Sequence, residues 1–190
     1  MKQPLVSKYV WPFFLWFALM IIVAIGIDYI LHYFQWESLG RYLGIIGTIT
    51  IGISFIYSAR KRKMITSGSP KQLLLFHEYL SWIGSIMLLV HAGIHFNAIL
   101  PWLAIVMLLI TVGSGLVGKF LLKKSSETLK EKRQLLLSQG AMSDEADKIL
   151  FFDSITVDLM KQWRVVHLPI TLMLAVLSII HIVSILMYSK

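Results

Sequence analysis

The chain contains six histidines and no cysteine, and four of the histidines form two equally spaced pairs. His77 and His91 are fourteen residues apart, and so are His167 and His181. On a helix rising 1.5 Å per residue, that interval separates two imidazoles by roughly 21 Å, and fourteen steps of about 100° return to within about 40° of the starting direction. Each pair therefore shares one helix face. Neutral imidazole is a good ligand for iron. Two parallel helices bearing such pairs would form two stacked clamps, His77 with His167 and His91 with His181, each gripping one iron from both sides. This is the arrangement two b-type haems require, one near each face of a membrane. The absence of cysteine excludes c-type attachment and all-cysteine iron–sulfur ligation, so the haems would be held non-covalently. With both axial positions filled, the chemistry expected is electron transfer.

The elements that must position these residues are membrane spans. With 57% hydrophobic residues and a mean hydropathy of +0.74, the composition is that of an all-α integral membrane protein rather than a soluble domain. The net charge of +8 does not indicate nucleic acid, because the basic residues lie between apolar runs, where topology places them. Five spans are expected, at about 10–34, 41–57, 71–96, 102–122 and 163–187, in a single domain covering 1–190. The first is too long, and lacks the small-residue site, for a cleaved signal peptide. The polar stretch 123–161 is expected to be a helical cytoplasmic loop, with Ser125 or Ser126 starting a helix that runs to about Leu137. Gly140 stops it, and Ser143 starts another. With the N-terminus inside, sixteen of the eighteen Lys and Arg residues are internal, leaving only Arg41 and Lys190 outside. The positive-inside rule then gives a cytoplasmic N-terminus and an external C-terminus. Spans three and five run parallel, which matches His77 in depth with His167 and His91 with His181.

Several neighbours have two readings. Gly84, midway between His77 and His91, would let a porphyrin approach the backbone, or would serve close helix packing. Arg164 is either a partner for an inner haem propionate or an ordinary basic anchor. His95 offers an alternative outer ligand; with His91 preferred, His95 and Asn97 become hydrogen-bond partners for outer propionates. Asp28 and His32 share a face of the first span. They form either a structural hydrogen bond or part of a proton path, a quinone site or a haem rim. Thr111, Gly113, Ser114, Gly115 and Gly118 give span four a small-residue stripe that suits close packing. The loop is read as an interfacial hairpin on lipid, or as a docking surface for a partner.

The stretches from His77 to His91 and from Trp163-Arg-Val-Val-His167-Leu-Pro through His181 resemble the ferric reductase-like transmembrane domain. This is the dihaem core shared by ferric reductases and NADPH oxidases. The likeness is in topology and spacing. It implies paired ligands on spans three and five, a cytosolic N-terminus and a cytosolic loop between spans four and five. The chain also looks like quinol-linked cytochrome b subunits. It departs from the first family in having no sixth span and no flavin or nicotinamide domain, so a redox partner subunit or the quinone pool is expected to supply or receive electrons. The leading expectation is a dihaem membrane subunit, in a bacterial or archaeal cytoplasmic membrane, linking an internal donor or quinol to an external acceptor. The alternatives are a stand-alone ferric or quinone reductase using the outer haem, and a haem-free structural membrane anchor.

Overall fold

A computed structural model describes residues 5–94 and 99–188, and among these it is helical with no strand. The helices are α1 (Leu5–Tyr33), α2 (Glu37–Ser54), α3 (Ile56–Lys61), α4 (Pro70–Ile94), α5 (Ile99–Leu116), α6 (Lys123–Ser138), α7 (Ser143–Ile149) and α8 (Phe151–Tyr188). A π-helical turn, Val117–Leu122, joins α5 to α6. Five helical stretches are long and apolar enough to cross a membrane: Trp11–Tyr33, Ser38–Lys61, Pro70–Gly93, Ile99–Lys119 and Val165–Tyr188. Many of their large apolar side chains, such as Ile22, Ile45, Ile83 and Val176, are exposed, which in water would be an aggregation hazard and in a bilayer is the lipid-facing surface. The transmembrane character expected from composition is therefore present.

Helix ends follow local chemistry. α1 stops where Trp36 N–H bonds the Leu31 carbonyl and Gln35 N–H that of His32. Gln35 adopts the left-handed conformation at φ 56°, completing a Schellman cap. Arg60, Lys63 and Met64 repeat this after α3, and Gly140 repeats it after α6, as its sequence position suggests. Ser69 opens α4 by accepting the Gln72 amide at 3.3 Å and donating to the Gln72 side chain at 2.9 Å, while Pro70 occupies the first helical position.

The last helix departs from expectation. The membrane-length stretch expected at about 163–187 is present at Val165–Tyr188, but no helix begins there, because α8 is continuous from Phe151 for 38 residues. No glycine or proline occurs between Gly140 and Pro169 to interrupt it, so helix propensity carries through the polar-to-apolar change. Pro169 lies inside α8 and removes one backbone donor.

The chain divides into two compact units. One comprises Met1–Phe17 and Gly113–Leu172. In it α6 packs on α7 and on the π-helical turn, over a small core of Ala146, Leu150 and Val157. Lys132 pairs with Asp153 at 2.7 Å and Arg133 with Asp147 at 3.0 Å. The other comprises Ala18–Val112 and Met173–Lys190. There α2 packs along α4, and Met20, Ala24, Ile86, Val90, Leu108 and Leu174 are buried.

Candidate functional site

α2 fixes the two histidines of α4. His77 Nδ1 donates to the Ser54 carbonyl at 3.0 Å, and His91 Nδ1 donates to the Gly40 carbonyl at 2.9 Å. A carbonyl oxygen only accepts, so Nδ1 carries the proton in both rings and Nε2 holds the lone pair. This is the support that metal-binding imidazoles ordinarily have. Ser54 is the last residue of α2, where carbonyls lose their intrahelical partners. The helix end thus supplies the acceptor for His77, and Tyr57, three residues on, stacks on its ring at 5.5 Å. Ser81, one turn after His77, donates to the buried Ser54 hydroxyl at 3.3 Å.

His91 needs a different accommodation, since its acceptor lies within α2. A Cβ on Gly44 would fall 2.7 Å from His91 Cγ and Nδ1, so only glycine leaves space for the ring against this helix. Gly40 supplies the carbonyl and Gly44, one turn on, the space. Between the two histidines, Gly84 meets Gly47 and Ile51: a Cβ on Gly84 would lie 2.7 Å from Ile51 Cγ1 and 3.2 Å from the Gly47 carbonyl oxygen. Of its two readings, close helix packing is the one seen.

Across from α4, the ring centre of His181 lies 6.4 Å from that of His91, with the planes at 65°. Two imidazoles bound end-on to one metal ion, at nitrogen–metal distances of about 2.0 Å, place their ring centres roughly 6 Å apart. An edge-on ring contact spans the same range, but it does not call for the tautomer that the Gly40 carbonyl imposes on His91. Among the described residues no three His, Cys, Asp or Glu side chains converge to cage a metal. A porphyrin supplies the equatorial ligands itself and asks the protein only for axial ones. The donor set at His91 and His181 fits that group.

In the other unit, Ser114 on α5 hydrogen-bonds His167 Nδ1 on α8. Ser114 is buried, and the absent side chain of Gly115 leaves its Cβ position 3.6 Å from His167 Cε1. Two members of the small-residue stripe of span four therefore form a seat for a candidate ligand. Thr171 donates to the His167 carbonyl at 2.6 Å, on the helical turn that contains Pro169.

Asp28 and His32 form a structural hydrogen bond, one of the readings expected of them, through the Asp28 backbone. His32 Nδ1 donates to the backbone carbonyl of Asp28 at 2.9 Å and stands 3.6 Å from the carboxylate Oδ1. His95 and Asn97 lie outside the described residues, as does the side chain of Arg164, whose backbone belongs to α8. The residues that sequence reasoning missed are Gly40, Gly44, Gly47 and Ser54. A signal for the glycines exists, a stripe at i, i+4 and i+7 on span two, which marks a close-packing face. No protein-family model, curated protein or solved structure matches the chain.

Proposed function

We propose that this chain is a dihaem b-type cytochrome subunit. It passes electrons across a membrane, between an internal donor or quinol and an external acceptor, as part of a larger redox complex. The observation that carries this reading is His91: its Nδ1 proton is committed to the Gly40 carbonyl, and its ring centre lies at ligand-bridging distance from that of His181. His91 and His181 would hold the outer haem, and His77 and His167 the inner one. His77 and His167 each have an Nδ1 partner of their own, consistent with the same use. A bound haem supplies a one-electron ferric/ferrous couple. The chain's own residues orient the imidazoles, keep Nε2 as the coordinating nitrogen of His77 and His91, and surround the site with apolar helix that lowers water access. The resemblance to ferric reductase-like and quinol-linked cytochrome b proteins agrees with this reading. In this topology the N-terminus and the 123–161 segment face the cytoplasm, where the basic segment would receive a soluble redox partner.

The test is a reduced-minus-oxidised absorbance spectrum with a haem-to-protein ratio on purified protein. Two b-type haems per chain are expected. His77→Ala and His167→Ala should each cost one and the same haem, and His91→Ala and His181→Ala the other. Protein without a b-type signal refutes the proposal. Loss of the outer haem in His95→Ala but not in His91→Ala would move the ligand by one turn.

A further inference from the structure

The cations of the chain fall into two classes. In the 123–161 segment Lys132, Arg133 and Lys161 each sit on a carboxylate, of Asp153, Asp147 and Asp158. Lys61 at the end of α3, Arg62 and Lys63 after it, and Lys71 in the first turn of α4 are exposed. Among the described residues no ion pair holds any of these. The sequence supplies no local counter-charge either, since no Asp or Glu occurs between Glu37 and Glu78.

The connection 62–69 that carries this charge joins two membrane-length stretches, Ser38–Lys61 and Pro70–Gly93, and it is pinned to both. Arg60 Nε donates to the Gly68 carbonyl at 3.2 Å and its Nη1 to the Ile65 carbonyl at 3.3 Å, so Arg60 is committed to the fold. Met64 N–H bonds the Ala59 carbonyl at 3.0 Å. Gly68, at φ 87°, packs so closely that a Cβ there would lie 3.0 Å from Leu73 Cδ1. The connection therefore doubles back on the two helix ends and stays level with them. The polar layer of a bilayer is roughly 5–8 Å deep on each side of its hydrocarbon core, and the free cations are held at that level. Met64 and Ile65, exposed by 77% and 38%, stand beside them. Apolar side chains next to long cationic ones suit the boundary between acyl chains and headgroups.

We propose that the connection between α3 and α4 is a binding site for the phosphate of anionic phospholipid headgroups. Lys61, Lys63 and Lys71 supply point charges, Arg62 supplies a planar pair of donors that matches two phosphate oxygens, and Met64 and Ile65 meet the upper acyl chain. An acidic soluble protein would satisfy the charges but leave Met64 and Ile65 without an apolar partner. The bound headgroup has a structural consequence, because its cations come from both helix ends. α3 packs on α4 and carries Tyr57, whose ring stacks on His77 at 5.5 Å. A phosphate shared between the two ends fastens the element that backs His77. The inference needs only the membrane-spanning helices and is independent of the haem reading.

The experiment places the purified full chain in lipid nanodiscs, which leave both faces open, and follows acetylation of individual lysines by mass spectrometry. Discs of phosphatidylcholine alone are compared with discs containing about one-third phosphatidylglycerol; in the latter, Lys61, Lys63 and Lys71 should react about fivefold more slowly or less. Raising sodium chloride to about 0.5 M should restore their rates. Lys148 of α7 is the control, being exposed and separated from the membrane-length part of α8 by the helix that begins at Phe151; its rate should be the same in both discs. Arg60→Gln removes the pin and keeps all four free cations, and it should lose about half of the protection. Equal rates in the two discs would overturn the proposal, as would equal slowing of Lys148 or full protection in Arg60→Gln. Inorganic phosphate added to phosphatidylcholine discs should protect nothing; protection as strong as that given by phosphatidylglycerol would mark a site for free anions and sink the lipid assignment.

Discussion

A methyl group on Gly44 would fall 2.7 Å from the His91 ring, closer than carbon and nitrogen atoms pack, so the ring would have to turn off the Gly40 carbonyl. Gly44→Ala is therefore expected to release the haem assigned to His91 and His181 and to keep the other, about halving the haem-to-protein ratio. Loss of that magnitude follows from removing both the orientation and the tautomer of a ligand. The pyridine haemochrome assay checks it, and full haem content in Gly44→Ala would show that the seat on α2 is not needed for ligation. His167 differs in kind, since its Nδ1 partner is a hydroxyl that can donate or accept rather than a carbonyl. Ser114 thus does not dictate the tautomer in the way Gly40 and Ser54 do.

At the scale of elements, α2 backs α4 along its whole histidine-bearing face. Gly40 and Ser54 provide the acceptors for His91 and His77, and Gly47 meets Gly84 between them. Glycine at both positions lets the two backbones approach closely. A larger side chain at Gly84 would push α2 away and remove both acceptors at once. Gly84→Leu is accordingly expected to deplete both haems together, unlike Gly44→Ala, and to lower the thermal midpoint of the folded protein. Selective loss of one haem would instead favour the porphyrin-approach reading of Gly84. α8 carries a separate consequence. Its 38 residues span roughly 57 Å, against a hydrocarbon thickness of about 30 Å. The helix is therefore long enough both to cross a bilayer and to continue well beyond it, bearing Phe151 and Phe152, whose side chains are exposed.

For the whole molecule, the distribution of Lys and Arg is the basis of the proposed orientation, and the absence of cysteine makes that orientation directly measurable. Single cysteines introduced as Ser67→Cys and Met142→Cys are expected to react with an impermeant maleimide only from the cytoplasmic side. Ser38→Cys, in the first turn of α2, is expected to react only from the other side. These positions are exposed, so labelling should report topology rather than burial. Reaction of Ser38→Cys and Ser67→Cys from the same side would refute the proposed parallel arrangement of α4 and α8 on which the two proposed clamps depend.

The sequence by itself determined what is local. Apolar runs of membrane length, the breaker at Gly140, the opening of α4 at Ser69 and Pro70, and the fourteen-residue histidine intervals all follow from hydropathy and helix geometry over neighbouring residues. The caps at Gln35 and Lys63 were not legible, because a non-glycine residue takes up the left-handed conformation there and composition gives no signal for it. The joining of the loop to the last span at Phe151 was hidden by a change in polarity that leaves helix propensity intact. Only the tertiary structure decided which groups hold the imidazoles. Gly40 is 51 residues from His91, Ser54 is 23 from His77, and Ser114 is 53 from His167. Two of these three partners act through a backbone carbonyl, which every residue possesses. Side-chain type therefore does not mark them, and only the packing of one helix on another selects them.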